Sequence, residues 1–170
     1  VKNLLLVSNG TIALNIAYNL LNIKKSVITT PFSFVASTSS LVWDGISPVF
    51  CDIDKNTLNM DAEKIHANMD ESIEAILPVH IFGNTCDVEK LQSVADRYNK
   101  KIIYDASHSF GVKYKDKSVL SFGDISTISF HATKLFHTVE GGGIVVNDDE
   151  LFERANSLLN FGYNKNYEII

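Results

Sequence analysis

Short apolar runs alternate with amphipathic stretches along the chain, and this alternation constrains the fold more than any other feature of the sequence. The apolar runs resemble buried strands, and we predict strands at residues 26–30, 48–53, 73–81, 101–104, 125–130 and 143–147. The stretches between them are amphipathic, and we predict helices at residues 11–21, 33–43, 61–69, 87–98 and 150–161. Strands that alternate with helices form βαβ units. The sequence therefore predicts an α/β fold, a three-layer αβα sandwich around a mostly parallel sheet.

Composition excludes several functional classes. The 170 residues carry a formal charge of −5, without the basic stripe that a nucleic-acid-binding protein needs. The longest uncharged stretch, residues 26–43, is interrupted by Pro31 and by many serines and threonines, so we predict no membrane span. Cys51 and Cys86 belong to no CxxC or Cys/His cluster, which predicts neither a metal site nor a disulfide framework. We expect a cytoplasmic globular protein that binds neither nucleic acid nor membranes.

Polar residues at the carboxyl ends of strands are the candidates for a site, because ligands of open α/β sheets bind there. Asn9, Gly10 and Thr11 stand at the start of the first predicted helix. Free backbone N–H groups, the helix dipole and a hydroxyl together favour an anion such as phosphate at this place. The alternative is a simple N-cap followed by a permissive glycine.

Asp105 and Lys134 each follow a predicted buried strand. A buried carboxylate needs a partner, which for Asp105 can be a protonated ring nitrogen, a magnesium ion or an arginine, unless it only caps a turn. Burial lowers the pKa of a lysine and makes it an imine-forming nucleophile, although Lys134 can also be an ordinary loop lysine. Phe34 can cover a flat ring or fill the core.

These four features together match one cofactor. Pyridoxal 5'-phosphate requires an anion seat, an imine-forming lysine, a face for its ring and an acid that keeps its ring nitrogen protonated. We therefore predict that the chain binds pyridoxal phosphate.

Five motifs also carry a resemblance to a known family. They are residues 9–14 (NGTIAL), 30–37 (TPFSFVAS), 78–83 (PVHIFG), 104–111 (YDASHSFG) and 129–134 (SFHATK), the last followed by Glu140, Gly141 and Gly142. In this order and at these spacings they resemble the DegT/DnrJ/EryC1/StrS family, the sugar-nucleotide aminotransferases of the type I pyridoxal phosphate fold. The motifs are spread across essentially the whole chain.

The resemblance implies a role for each candidate residue. Lys134 matches the catalytic lysine that binds the cofactor and carries the proton, Asp105 the acid at the ring nitrogen, and His108 the residue beside the cofactor's 3-oxygen. The other implied cofactor-binding residues are Phe34 against the ring and Gly10, Thr11, Ile12 and Ser129 around the phosphate.

The sequence departs from the family pattern at one residue and in length. Val139 stands where the family often has a glycine before Glu140. Lys134 itself argues against the dehydratase branch, in which a histidine replaces the lysine. Family members are roughly twice this length, so we expect residues 1–170 to be part of the cofactor-binding large domain, without an N-terminal segment and a C-terminal small domain. The resemblance also implies a homodimer in which the second subunit helps to build each site.

The leading hypothesis is a pyridoxal-phosphate-dependent aminotransferase that moves an amino group from glutamate to a keto group of a nucleotide-linked deoxysugar. Its product would serve surface polysaccharide or secondary-metabolite synthesis. A second hypothesis is a non-catalytic homologue that keeps the fold and binds a partner or a sugar nucleotide without turnover. A third, a nucleotide-binding domain of the flavodoxin type, leaves Lys134 without a role.

Overall fold

The computed structural model describes residues 1–163 and 168–169. The strands of this part are β1 (Leu4–Val7), β2 (Ser26–Thr29), β3 (Ser47–Phe50), β4 (Ile73–Ile76), β5 (Lys101–Asp105), β6 (Lys113–Tyr114), β7 (Lys117–Ser118), β8 (Ile125–Ser129) and β9 (Gly142–Val146). The α-helices are α1 (Gly10–Leu20), α2 (Val35–Trp43), α3 (Val88–Tyr98) and α4 (Asp149–Leu159). Short 3₁₀ helices occupy Ala62–Asn68, Ile81–Gly83 and Val119–Ser121.

The main sheet has the strand order β1-β9-β8-β5-β4-β2-β3. Strands β3, β2, β4, β5 and β8 run parallel to one another, whereas β9 runs antiparallel to both β8 and β1. The prediction of a mostly parallel sheet is therefore confirmed. Because β8 and β9 are antiparallel neighbours, a single loop joins them at the edge where the other parallel strands end.

Helices cover both faces of the sheet, which confirms the three-layer prediction. Side chains of one strand alternate between two cores: Val27 and Ile103 pack with α1, α2 and α4, whereas Ile28 and Ile102 pack with α3 and the 62–68 helix. Both cores are formed by buried aliphatic residues that hold the sheet from each side.

Helix ends follow the signals in the sequence. The side chain of Asn9 accepts the N–H of Ile12 at 2.9 Å, and that of Asp87 accepts the N–H of Lys90 at 3.1 Å. Asn99 ends α3 in the left-handed conformation with φ 51°. The first helix is thus fixed at the place where an anion is expected.

Several details differ from the sequence predictions, beyond small shifts in the ends of elements. Strand β1 and the small β6–β7 hairpin were not predicted. The helix predicted at residues 61–69 is a 3₁₀ helix. The strand predicted at residues 73–81 ends its regular pairing at Ile76, and only Val79 forms a further bridge, with Asp105. Pro78 explains this ending, because proline has no N–H to donate to a neighbouring strand.

Candidate active site

A cleft of about 400 Å³ opens at the carboxyl edge of β5 and β8, beside the start of α1. Its walls bring together most of the predicted site residues, and its lining residues are Asn9, Gly10, Thr11, Leu14, Phe34, Ala36, Val79, Asp105, Ser107, His108, Ser129, His131, Thr133, Lys134 and Glu140. The volume is in the range of small-molecule and cofactor sites. Residues that are far apart in the sequence thus form one concave surface.

Asp105 supplies a buried acid to this cleft. The residue is 4% exposed and ends β5, where its main chain bonds to the Pro78 carbonyl and to the His80 N–H. Its carboxylate accepts the hydroxyl of Ser37 at 2.8 Å and the N–H of Ser107 at 3.1 Å. Among the described residues it forms no ion pair with a lysine or arginine. Hydrogen bonds therefore fix a carboxylate that can still pair with a cation in the cleft.

Lys134 reaches the cleft from the loop between β8 and β9, five residues beyond the end of β8. The N–H of Phe130 donates to the Gly141 carbonyl at 2.8 Å, which closes the base of this loop. The Lys134 N–H donates to the His131 carbonyl at 2.9 Å, and its Nζ lies 6.0 Å from the centre of the Phe34 ring. The lysine is half-buried, so its amine can be reached from the cleft.

The start of α1 lies on the cleft wall, and we call this place, where the sequence predicts an anion, the anion seat. A side chain at Gly10 would meet Ser129 Cβ at 3.0 Å and Ser107 Oγ at 3.5 Å, so two serines surround this glycine. Among the first helical residues, Gly10 and Thr11 line the cleft. The N–H of Ile12 is already used by the Asn9 cap, and the residue is not part of the cleft lining, so nothing in this geometry adds support for its predicted role.

The glycine run allows β9 to pass close to this seat. A side chain at Gly142 would lie directly against the carbonyl group of Asn9 and 2.8 Å from the Gly10 nitrogen. Only a residue without Cβ fits between β9 and the start of α1. The loop that carries Lys134 therefore returns into the sheet against the anion seat.

Phe34 and His108 stand at the mouth of the cleft. Phe34 is 67% exposed and precedes α2, so it does not fill the core, and its ring is available to a ligand. His108 is half-buried, and its Nδ1 accepts the N–H of Phe82 at 3.2 Å. Burial first, and then the Lys134 ammonium, hold the pKa of His108 below its ordinary value, against the opposing charge of Asp105.

The remaining histidines divide into surface residues and one core residue. His66 and His137 are exposed, and His131 lies on the cleft wall. His80 is fully buried, with its ring stacked on Tyr104 at 4.7 Å and its Nδ1 accepting the Cys86 N–H at 3.0 Å. Burial lowers the pKa of His80 to about 4.

Sequence reasoning missed two serines of the site. Ser37 donates to Asp105 from the first turns of α2, and Ser107 contributes both its N–H to Asp105 and its side chain beside Gly10. The signal for Ser37 was weak, because a serine inside a predicted helix resembles any other small residue. Ser107 stands two residues after Asp105, and this short spacing is typical of a turn in which the aspartate accepts a backbone N–H.

The family of the chain follows from its similarity to known proteins. The sequence profile of the DegT/DnrJ/EryC1/StrS aminotransferase family matches residues 1–169. The chain belongs to this family.

Two curated relatives of this aminotransferase-family chain bear the names of sugar enzymes. A dTDP-4-amino-4,6-dideoxy-D-glucose transaminase of Shigella dysenteriae is 52% identical over 163 residues, which cover 96% of this chain and 44% of the relative. A GDP-perosamine synthase of Escherichia coli O157:H7 is 39% identical over 88% of this chain and 42% of its own length. This family member therefore spans less than half the length of the curated relatives it matches.

Solved structures of the same family share the fold. DesI, solved with its TDP-sugar product, superposes with a TM-score of 0.94 at 32% identity, over 98% of this chain and 42% of DesI. The ntda protein of Bacillus subtilis, solved with bound cofactor PMP, gives a TM-score of 0.89 at 28% identity, over 98% of this chain and 39% of that one. Within the described residues of this chain, none of the helices is both long and apolar enough to span a membrane.

Proposed function

We propose that the chain is the cofactor-binding part of a pyridoxal-phosphate-dependent aminotransferase that converts a nucleotide-linked ketosugar into an aminosugar. The observation that carries this proposal is the single cleft that gathers Lys134, Asp105, His108, Ser129 and the Gly10–Thr11 helix start. Two similar relatives bear the names of a dTDP-linked and a GDP-linked sugar enzyme, which supports a nucleotide sugar as substrate.

The residues present fit pyridoxal phosphate. The space at Gly10, which a Cβ would fill, lies between Ser107 and Ser129 and fits a phosphate at a helix N-terminus. Asp105 is a buried acid without a cationic side-chain partner in the described part of the chain, which fits a protonated ring nitrogen. The exposed ring of Phe34 fits the face of the cofactor, and Lys134 is the cleft amine. When bound, the cofactor supplies an electron sink for the carbanion formed at the amino-donor carbon.

The side chains of this chain then have distinct tasks. Asp105, with Ser37 and Ser107 fixing its two oxygens, holds a proton on the ring nitrogen. Lys134 Nζ binds the cofactor in the resting enzyme and acts as the base that takes and returns the proton of the amino donor. Gly10, Thr11 and Ser129 orient the phosphate, and Phe34 excludes water from one face of the ring. The net reaction transfers the amino group of an amino acid, which we take to be glutamate, to the ketosugar and leaves a 2-oxo acid.

We propose further that residues 1–170 form part of the large domain and that two copies of the full protein build each site together. The exposed apolar rings of Phe32, Phe34 and Phe82 beside the cleft support a second protein surface at its mouth. The two buried free cysteines support a location in the reducing cytoplasm.

The test is to trap the cofactor on the full-length protein. Pyridoxal phosphate is added, the visible spectrum is recorded, and borohydride reduction is followed by peptide mass mapping. We expect a stable adduct on Lys134, none in Lys134→Ala, and an unchanged adduct in Lys113→Ala, which alters an exposed lysine away from the cleft. Turnover retained by Lys134→Ala, or an adduct only on another lysine, would contradict the assignment, and no adduct at all would favour a non-catalytic homologue.

A further inference from the structure

The turn formed by residues 81–84 lies directly behind His108. The N–H of Phe82 donates to His108 Nδ1 at 3.2 Å, and the two rings lie nearly parallel, with centres 6.1 Å apart and planes 12° apart. A Cβ at Gly83 would meet the His108 carbonyl oxygen at 3.0 Å. One side of His108 is thus occupied by a main-chain donor, a ring and a close backbone contact.

This turn is held in an unusual backbone conformation. Phe82 has φ 54° and Gly83 has φ 82°, both in the left-handed region, which is unfavourable for a side chain as large as phenylalanine. Such a conformation persists only when surrounding contacts impose it. The strain therefore points to a residue outside the turn that braces it.

Asn59 is that brace. Its side chain is buried, with 2% exposure, and accepts the Ile81 N–H at 3.0 Å while it donates to the Asn84 carbonyl at 3.1 Å. The residue before the turn, His80, donates its N–H to the Asp105 carbonyl at 3.1 Å. The turn is therefore tied on one side to Asn59 and on the other to the strand that carries Asp105.

The hydrogen bond from the Phe82 N–H determines which ring nitrogen of His108 carries the hydrogen of the neutral ring. A ring nitrogen that accepts an N–H has no hydrogen of its own, so the neutral ring must carry its hydrogen on Nε2. We propose that the 81–84 turn, braced by Asn59, locks His108 as the Nε2–H tautomer, so that the ring presents one fixed hydrogen-bond donor. The charged groups beside the ring are Lys134, which disfavours the imidazolium, and Asp105, which favours it.

The use of this donor rests on the proposed function. The 3-oxygen of pyridoxal phosphate is an acceptor, and a ring that presented a bare nitrogen to it would repel it. Asn59 and Phe82 would then be positioning residues that act through His108, while His108 would contact the cofactor itself.

The tautomer can be measured without cofactor. The full-length protein is prepared with ¹³C,¹⁵N-histidine and studied by magic-angle-spinning NMR, in which ring shifts report which nitrogen is protonated, and His108→Gln identifies the His108 signals by their loss. We expect the Nε2–H tautomer to predominate in the unaltered protein. Asn59→Ala removes the brace, and Gly83→Ala forces a Cβ against His108, so each should raise the Nδ1–H share relative to Nε2–H by about fivefold, as for the loss of one hydrogen bond.

Phe82→Gly is the matched control. It keeps the N–H and favours the left-handed backbone while removing the ring, so the tautomer should remain unchanged. Gly83→Ala leaves both bonds of Asn59 in place, so it provides the same test if Asn59→Ala fails to fold. The Nδ1–H tautomer or an imidazolium in the unaltered protein, or an unchanged ratio in the turn variants, would overturn the proposal. Failure of the adduct experiment alone would remove the proposed function and leave the locked tautomer standing.

Discussion

Asp105 and Lys134 line the same cleft, but the regions that carry them differ in burial, bonding and backbone strain. Asp105 is 4% exposed, and its carboxylate and main chain bond to Ser37, Pro78, His80 and the neighbouring Ser107. Around Lys134, Leu135 is 89% exposed. The loop is held by its own hydrogen bonds, such as that between His131 Nδ1 and Thr133 Oγ1 at 2.9 Å, and by the ring of Phe136, whose centre lies 4.3 Å from that of Phe110. Val139 on this loop has φ 68°, which is unfavourable for a β-branched side chain.

The two side chains are therefore positioned by different parts of the structure. The position of the acid is imposed by the core, so substitutions around it should have large effects. The position of the amine is imposed by a short loop, so single changes there should have small effects on stability.

Asp105→Asn should give the largest effect. The amide keeps the shape of the carboxylate but removes the charge that, in the proposed function, would face the ring nitrogen of the cofactor. We expect aminotransferase activity of the full-length protein to fall by about 10²–10³-fold. The matched control is Asp124→Asn at the opposite end of β5, where Asp124 accepts the Ile102 N–H at 2.8 Å. That variant should retain activity within a few-fold, and equal losses in both would show that the charge of Asp105 has no special role.

Gly142→Ala tests the rigid contact between β9 and the anion seat. The new Cβ would meet backbone atoms of Asn9 and Gly10, which cannot yield, so we expect the free energy of unfolding to fall by about 3 kcal/mol. At Gly143 the nearest atoms are side-chain methyl groups, Leu4 Cδ1 at 3.0 Å and Ile128 Cγ2 at 3.1 Å, and small shifts of a few tenths of an ångström relieve both contacts. Gly143→Ala should therefore cost only about 1 kcal/mol in urea titrations, and a reversed order would disprove the close approach.

His80 makes the buried region sensitive to pH. Its pKa is about 4 in the folded protein, against 6.5 for the free side chain, so the folded state binds fewer protons between these values. The contribution of His80 to the free energy of unfolding is fully present above about pH 6.5. It is lost as the pH drops towards 4, which lowers the free energy of unfolding by about 3 kcal/mol. In His80→Asn this part of the pH dependence should vanish from urea titrations, whereas His131→Asn on the loop should keep it. An equal slope in both variants would contradict the assignment.

Val139→Gly should give the smallest effect, and with the opposite sign. Glycine adopts a positive φ without strain, so the free energy of unfolding should rise by roughly 0.5–1 kcal/mol after the entropy of glycine is considered. Val35→Gly, at the first turn of α2, should instead destabilise the protein. Thermal unfolding of the two variants compares them, and destabilisation by Val139→Gly would remove the idea of a strained loop.

The elements that the sequence predicted well are those whose patterns are local. Apolar spacing located α1 and α3, and the strand-end rule placed Asp105, Lys134 and Gly10 at one edge of the sheet, where the cleft lies. The resemblance also identified Val139 as a departure, and the positive φ of this residue gives the physical reason for a glycine at that position.

What the sequence could not predict depends on contacts between distant residues. The brace of Asn59 on the 81–84 turn and the hydroxyl of Ser37 on Asp105 follow from no spacing or periodicity. Strand β1 is only four residues long, so its sequence shows no clear strand pattern. Its pairing with β9 becomes visible only in the folded sheet.

The antiparallel pairing of β8 with β9 also has a consequence for the order of folding. These strands are joined by one loop, so the hairpin that carries Lys134 closes over a short stretch of chain and can form early. The hydrogen bond from Ser37 to the Asp105 carboxylate instead joins residues 68 positions apart, and it needs β2, β4 and β5 to be aligned first. The hairpin that carries Lys134 would therefore form before the surroundings of the Asp105 carboxylate, and capture of the proposed cofactor would report the last stage of folding rather than the first.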